Sequence, residues 1–224
     1  MWKDIISLLK GSSLCQEAFD ESLQMLETSY GMFNDAVAAL HKEGALVDDI
    51  YERDRQLNKF ERSVRRKIVT HLSVSSRPDV NMGLVITAIV IDMERIGDYA
   101  KNISELSAEL EAPFDASELN VDLRHLERLV DQNFADLVLA LEASDEDRAR
   151  DILERHKEVS GTVERHLRSL RRGAVLSQDS GRAVTLALYL RYLKRMSAHL
   201  KNVATSVVNP YYRIGFREKK KKDI

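Results

Sequence analysis

A chain of 224 residues with 44% hydrophobic side chains has enough apolar surface for one large domain or two modest ones. Its formal charge of −2 gives the body no reason to bind nucleic acid, and its single cysteine, Cys15, excludes an internal disulfide and fits a buried thiol in a reducing cytoplasm. Three prolines, nine glycines, 31% charged residues and 6% aromatics are the balance of long helices, and point to an all-α protein.

The opening "MWKDIISLLK" is too short and too interrupted by charge to read as a secretory signal, and no later run approaches the ~18 apolar residues of a membrane span. Apolar residues then recur at helical spacing through the chain, predicting six long helices near 12–43, 46–72, 78–111, 117–143, 146–172 and 180–207. The breaks are "KEGA" at 42–45, "SSRPD" at 75–79, "EAPFDASE" at 111–118, "ASDED" at 143–147 and "LSQDSG" at 176–181, all rich in turn and N-cap residues. Loops this short make neighbouring helices antiparallel.

The second predicted helix has a seam of Ile50, Leu57 and Val64, with Asp54, Asn58 and Glu61 sharing a face beside it. The third has a seam of Ile86, Ile89, Met93, Ile96, Ala100 and Ile103, and carries Glu94 and Asp98 at positions read as facing outward, away from that seam. Its apolar start, "LVITAIVI", reads as a helix buried between its own bundle and a neighbouring one.

Later helices echo earlier ones. "DAVAAL" at 35–40 matches "DLVLAL" at 136–141, the helix from Ile50 tracks the one from Ile152, and "ERIGDYAKNI" at 94 tracks "KRMSAHLKNV" at 194. A near-constant offset across three helices is the mark of a duplicated three-helix unit. The expected organisation is two tandem antiparallel three-helix bundles, residues 1–112 and 117–209, with a basic tail at 210–224.

Two acids four residues apart lie roughly 5–6 Å apart between Cβ atoms and repel unless something positive stands between them. Asp54, Asn58, Glu61, Glu94 and Asp98 make a hard-oxygen set suited to magnesium, calcium, manganese or iron rather than zinc or copper. On spacing alone the same acids also read as a solvated helix face. No histidine stands three residues after a glutamate, so the Glu-x-x-His signature of di-iron bundles is missing, and no nucleophile elbow, glycine-rich phosphate loop or Cys–His pair suggests an enzyme.

Together, "RDRQLNKFE", "SSRPDVNMGLVITAI" and "ERIGDYAKNI" resemble the PhoU family of phosphate-uptake regulators, across essentially the whole chain and most strongly over residues 35–110. The resemblance implies two tandem three-helix repeats. It also implies a divalent metal or iron site (Fe, Mn, Mg or similar) whose third-helix acids fall on Glu94 and Asp98 and whose second-helix set falls on Asp54, Asn58 and Glu61, with Asp79 at the acidic position that opens the third helix. The second repeat departs from this pattern: Lys194 and Ala198 stand at the positions of Glu94 and Asp98, and His156 at that of Asp54, so no metal cluster is expected there.

By the same resemblance the chain is expected to be a cytoplasmic, non-enzymatic regulator of phosphate transport and phosphate-starvation signalling. Its partners would be a phosphate transporter at the membrane, a sensor histidine kinase, or both, and a homodimer is expected. The degenerate second repeat leaves open an accessory role at a sodium-phosphate cotransporter; a metal-carboxylate enzyme or iron-storage bundle and a metal-free helical scaffold are the alternatives from other classes. The tail "YYRIGFREKKKKDI" reads either as a solubilising segment or as a peripheral contact with an anionic leaflet.

Overall fold

The computed structural model describes residue 2 and residues 13–43, 49–76, 79–110, 112–114, 123–173 and 180–218. Six long helices account for most of them: α1 (Ser13–Leu40), α2 (Ile50–Val74), α3 (Val80–Ala108), α4 (Leu123–Ala143), α5 (Glu146–Arg171) and α6 (Ser180–Val208), followed by a short 3-10 turn at Tyr211–Arg213. Among the described residues there is no strand, and the elements agree with the predicted order; the expected starts at 12, 46, 78 and 117 and the expected end at 111 fall outside the described residues.

The starts of α3 and α5 are set by acids placed as N-caps. The Asp79 carboxylate accepts from the Met82 amide at 2.8 Å, and Asp145 accepts from the amides of Asp147 and Arg148. Those two amides, the Arg148 one foremost, hold the Asp145 carboxyl below its usual range. Asp79 is thus committed to capping α3.

Within each repeat the seams close as the spacing requires. Ile50, Leu57 and Val64 of α2 and all six seam residues of α3 are buried, as are Ile152, Val159 and Val163 of α5 and Leu193, Met196, Leu200 and Val203 of α6. Cys15 is buried in α1. Within "LVITAIVI", Val85, Ile86, Ile89 and Val90 are buried while Leu84 and Ile91 stay exposed.

The two bundles share one continuous core. Its spine is α3 packed on α6, the equivalent helices of the two repeats. They run antiparallel: Asp92 accepts from Asn202 Nδ2 at 3.0 Å and lies 2.6 Å from His199 Nδ1, while Tyr99 packs on Tyr192 and His199 further along.

A second seam joins α1 to α4, where Phe134 stacks between Tyr30 and Phe33. At its end the buried Glu127 receives the Tyr189 hydroxyl at 2.6 Å and lies 2.8 Å from His41 Nε2. The inter-repeat connection also enters this seam: the Phe114 amide donates to Leu40 O at 3.1 Å, and its ring meets Tyr189 edge-on. Trp2 reaches the same region, its indole donating to Leu141 O at 2.8 Å.

Beyond α6 the chain folds back under hydrogen bonds from Asn209 Nδ2 to the carbonyls of Arg213 and Phe216, and from Lys201 Nζ to Gly215 O. Glu218 then pairs with Arg150 of α5, and the lysines that follow lie outside the described residues. Among the described residues no helix is long and apolar enough to cross a membrane.

Candidate functional site

The carboxylate face depends on how closely α2 approaches α3. Gly97 lies between Glu94 and Asp98 in sequence, on the side of α3 that meets α2, and a Cβ built on it would fall 2.1 Å from Leu57 Cδ1. The missing side chain lets Leu57 nest against the α3 backbone. Asp54, Asn58 and Glu61 flank Leu57 on α2, so this fit brings both halves of the predicted set to one groove.

Glu94 and Asp98 therefore do not point outward, as their position on the helix suggested. Their side chains are 14% and 26% exposed, and on α2 those of Asp54 and Glu61 are 17% and 15% exposed. The outward assignment counted only the bundle seam; the flank of α3 is covered by α2 because Gly97 lets it close.

The positive charge that such acids need is already present in the chain. Lys101 Nζ lies 2.7 Å from Asp54 Oδ1 and 3.3 Å from Asp98 Oδ1, bridging α2 and α3. Arg95 contacts Asp98 at 3.1 Å and Glu94 at 3.5 Å, and Arg65 contacts Glu61 at 2.8 Å. Asn58 Nδ2 donates to Asp54 O within its own helix.

Four carboxylates thus face three cations, and the imbalance falls on Glu94. Burial, then the Asp98 carboxylate, push the Glu94 carboxyl above its usual range; Arg95 opposes this and Glu61 and Asp54 add to it. For Lys101, burial works against the charge but is outweighed by Asp54 and Asp98, so its ammonium is held above the ordinary lysine range. The donor chemistry fits a hard divalent cation, yet among the described residues no three His, Cys, Asp or Glu side chains converge as a ready ligand set. Lys101 stands between Asp54 and Asp98.

Sequence reasoning named the five oxygen-bearing residues and missed Lys101, Arg95 and Gly97. Lys101 follows Asp98 by three on the same helix face, but only the fold brings it to Asp54, and Gly97 is one of two glycines in α3.

In the second repeat the corresponding face has the opposite charge. Lys194 pairs with Glu164, and His156 Nδ1 lies 3.0 Å from Ser197 Oγ at the register position of Gly97. Burial, followed by Lys201 and Lys194, lowers the His156 pKa from 6.5 to about 4, which keeps its ring neutral. Lys201 stands at the register position of Lys101; burial pushes its ammonium below the lysine range, against the pull of Asp92.

The family model for the PhoU domain matches residues 22–107 and 123–207, one match to each structural repeat. The chain belongs to the PhoU family. Among curated PhoU relatives it is 30% identical over 207 residues to the "phosphate-specific transport system accessory protein PhoU homolog" of Deinococcus radiodurans, covering 88% of this chain and 93% of that protein. The protein of the same description from Pseudomonas aeruginosa is 28% identical over 182 residues, covering 78% of this chain and 74% of the relative.

Solved PhoU structures have the same architecture. The crystal structure of PhoU from Pseudomonas aeruginosa superposes with a TM-score of 0.77 at 25% identity, covering 88% of this chain and 96% of that one. The phosphate transport system regulatory protein PhoU from Streptococcus pneumoniae gives 0.72 at 17% identity, covering 87% and 93%, a likeness of fold. The two-repeat PhoU organisation read from the internal duplication is thus the one these proteins share.

Proposed function

We propose that this PhoU chain is a cytoplasmic accessory regulator of phosphate transport, holding a phosphate transporter and the phosphate-starvation response in check through protein contacts rather than chemistry. The observation that carries the proposal is the match of the PhoU domain to both repeats, with accessory proteins of phosphate-specific transport among the relatives covered nearly end to end. The transporter's soluble subunits, a sensor histidine kinase and a second copy of the chain are the partners this role calls for.

In the same proposal the groove formed by Asp54, Asn58, Glu61, Glu94 and Asp98 is a face for a hard divalent cation such as Mn²⁺, Mg²⁺ or iron. Its support is the excess of carboxylate over cationic side chains around Glu94. Bound there, such an ion would cross-link α2 and α3.

The test is complementation. Expressed in cells that lack their own PhoU and carry a phosphate-starvation reporter, the chain should return the reporter to its low state in phosphate-rich medium. A stably expressed chain that leaves the reporter high, and that co-purifies with neither transporter subunit nor histidine kinase, defeats the proposal.

A further inference from the structure

We propose that the segment after α6 docks the chain on an anionic lipid leaflet, with Tyr212 and Phe216 entering the headgroup layer and the cations around them meeting its charge. Such docking is a property of this segment alone and stands apart from the regulatory role.

The segment is fastened as a hook. Gly215 is held to α6 from both sides: its amide donates to Thr205 Oγ1 at 2.6 Å and its carbonyl accepts from Lys201 Nζ at 2.8 Å. Asn209 Nδ2 closes the turn on the carbonyls of Arg213 and Phe216. Gly215 has a φ of 84°, a left-handed conformation that a side chain would strain. The 3-10 turn at the start of the hook lies against α3 and α6.

This order buries little of what the hook carries. Ile214 packs on the core, but Tyr212 and Phe216, two residues to either side, are 77% and 65% exposed. Fixing a backbone costs conformational entropy, and burial of large rings is the usual offset. Here the rings stay in water on a fixed scaffold, an arrangement that suits burial in an apolar layer outside the protein.

Charge selects the layer. Arg213 and Arg217 lie within the hook, and the Arg213 guanidinium donates to Arg217 O at 2.7 Å. Among the described residues no carboxylate pairs with either arginine. Glu218 is neutralised by Arg150, which also holds Glu146 and Asp147 of α5. In the sequence four lysines follow, at 219–222.

Each cation at an anionic leaflet contributes about fivefold in binding, and exposed aromatic rings favour the membrane–water boundary over either side of it. A nucleic acid would call for a basic track on the body, yet the chain has a formal net charge of −2. Rings and cations on one short segment match a leaflet, where two weak signals together give stable attachment.

The experiment sediments the full chain with phosphatidylcholine vesicles, either neutral or containing about one-third phosphatidylglycerol. Wild type should bind the anionic vesicles about tenfold more strongly than the neutral ones, and less as salt rises. Tyr212→Ser combined with Phe216→Ser keeps every cation and should lower binding to the anionic vesicles about tenfold. Lys219→Gln, Lys220→Gln, Lys221→Gln and Lys222→Gln together keep both rings and should lower it about a hundredfold. No binding by wild type, equal binding to both vesicles, or an aromatic double variant that binds like wild type overturns the proposal. So does preference for a DNA duplex over the anionic vesicles in direct competition.

A second readout follows the ring itself. Tyr212→Trp adds an exposed indole to a chain whose own Trp2 is buried and gives a constant background. Anionic vesicles should shift its emission to shorter wavelength, and an unshifted spectrum overturns the proposal whatever the multiple variants do. The phosphate-starvation reporter is a separate measurement, so failure here leaves the regulatory role untouched.

Discussion

Leu57 occupies the space that a side chain on Gly97 would need. At the matching positions repeat 2 carries Val159 and Ser197, both buried, so a smaller side chain on the second helix accompanies a larger one on the third. Gly97→Ser should therefore destabilise the chain by about 1–2 kcal/mol through overpacking, and adding Leu57→Val should recover part of that loss. Urea unfolding of the two single variants and the double variant measures the coupling. Additive effects would show that the two positions do not constrain each other.

Phe114 ties the connection between repeats into the α1–α4–α6 seam through a buried ring and a backbone hydrogen bond to Leu40. Replacing it with alanine keeps the hydrogen bond and removes the ring. A loss of about 3–5 kcal/mol is expected by analogy with other buried aromatics, read as a lowered denaturant midpoint with helical content retained.

Tyr189 is fully buried, and burial followed by the Glu127 charge pushes its phenol well above the usual range. Its hydroxyl gives Glu127 one of the few donors that carboxylate has. Tyr189→Phe leaves the packing intact and should cost about 1.5–3 kcal/mol, the range for a hydrogen bond to a charged group. Thermal unfolding monitored at 222 nm checks it, and a shift within error would mean that His41 and Arg124 suffice to hold Glu127.

His156 sets a pH dependence of known sign. Its pKa is about 4 in the native state against 6.5 for the free side chain, so between those values the unfolded chain binds a proton that the folded chain does not. Its contribution therefore weakens as pH falls through that window and is constant above about 6.5. Compared at about pH 7.5 and about pH 5, wild type should lose more stability than His156→Gln. Equal losses would remove His156 as the cause.

Much of this was legible from residue order. The helical period and the turn residues fixed six elements and their antiparallel connections, and the near-constant offset exposed the duplication. The five oxygen donors of repeat 1 were also found, since carboxylates at helical spacing beside a seam leave a clear pattern. Their surroundings were not. Whether a flank residue is outward or covered depends on how closely the neighbouring helix approaches, and that is decided by Gly97, whose missing side chain has no periodic signature. Lys101 was passed over for a related reason: a lysine among carboxylates has no preferred partner until the fold brings Asp54 from another helix to within 2.7 Å. Some of the joins between repeats, at Phe114, Glu127 and Trp2, rest on single residues that no repeat comparison marks.

The antiparallel packing of α3 on α6 has a further consequence. It gives the molecule an approximate internal dyad, as in a symmetric dimer, yet both halves belong to one polypeptide and each can mutate alone. One half carries acids paired with Lys101; the other has Lys194, Lys201 and an uncharged imidazole at the equivalent places. A homodimer of single repeats would have to present the same charge twice. Joined in tandem, they give one body whose two halves carry different charge across its pseudo-symmetry axis.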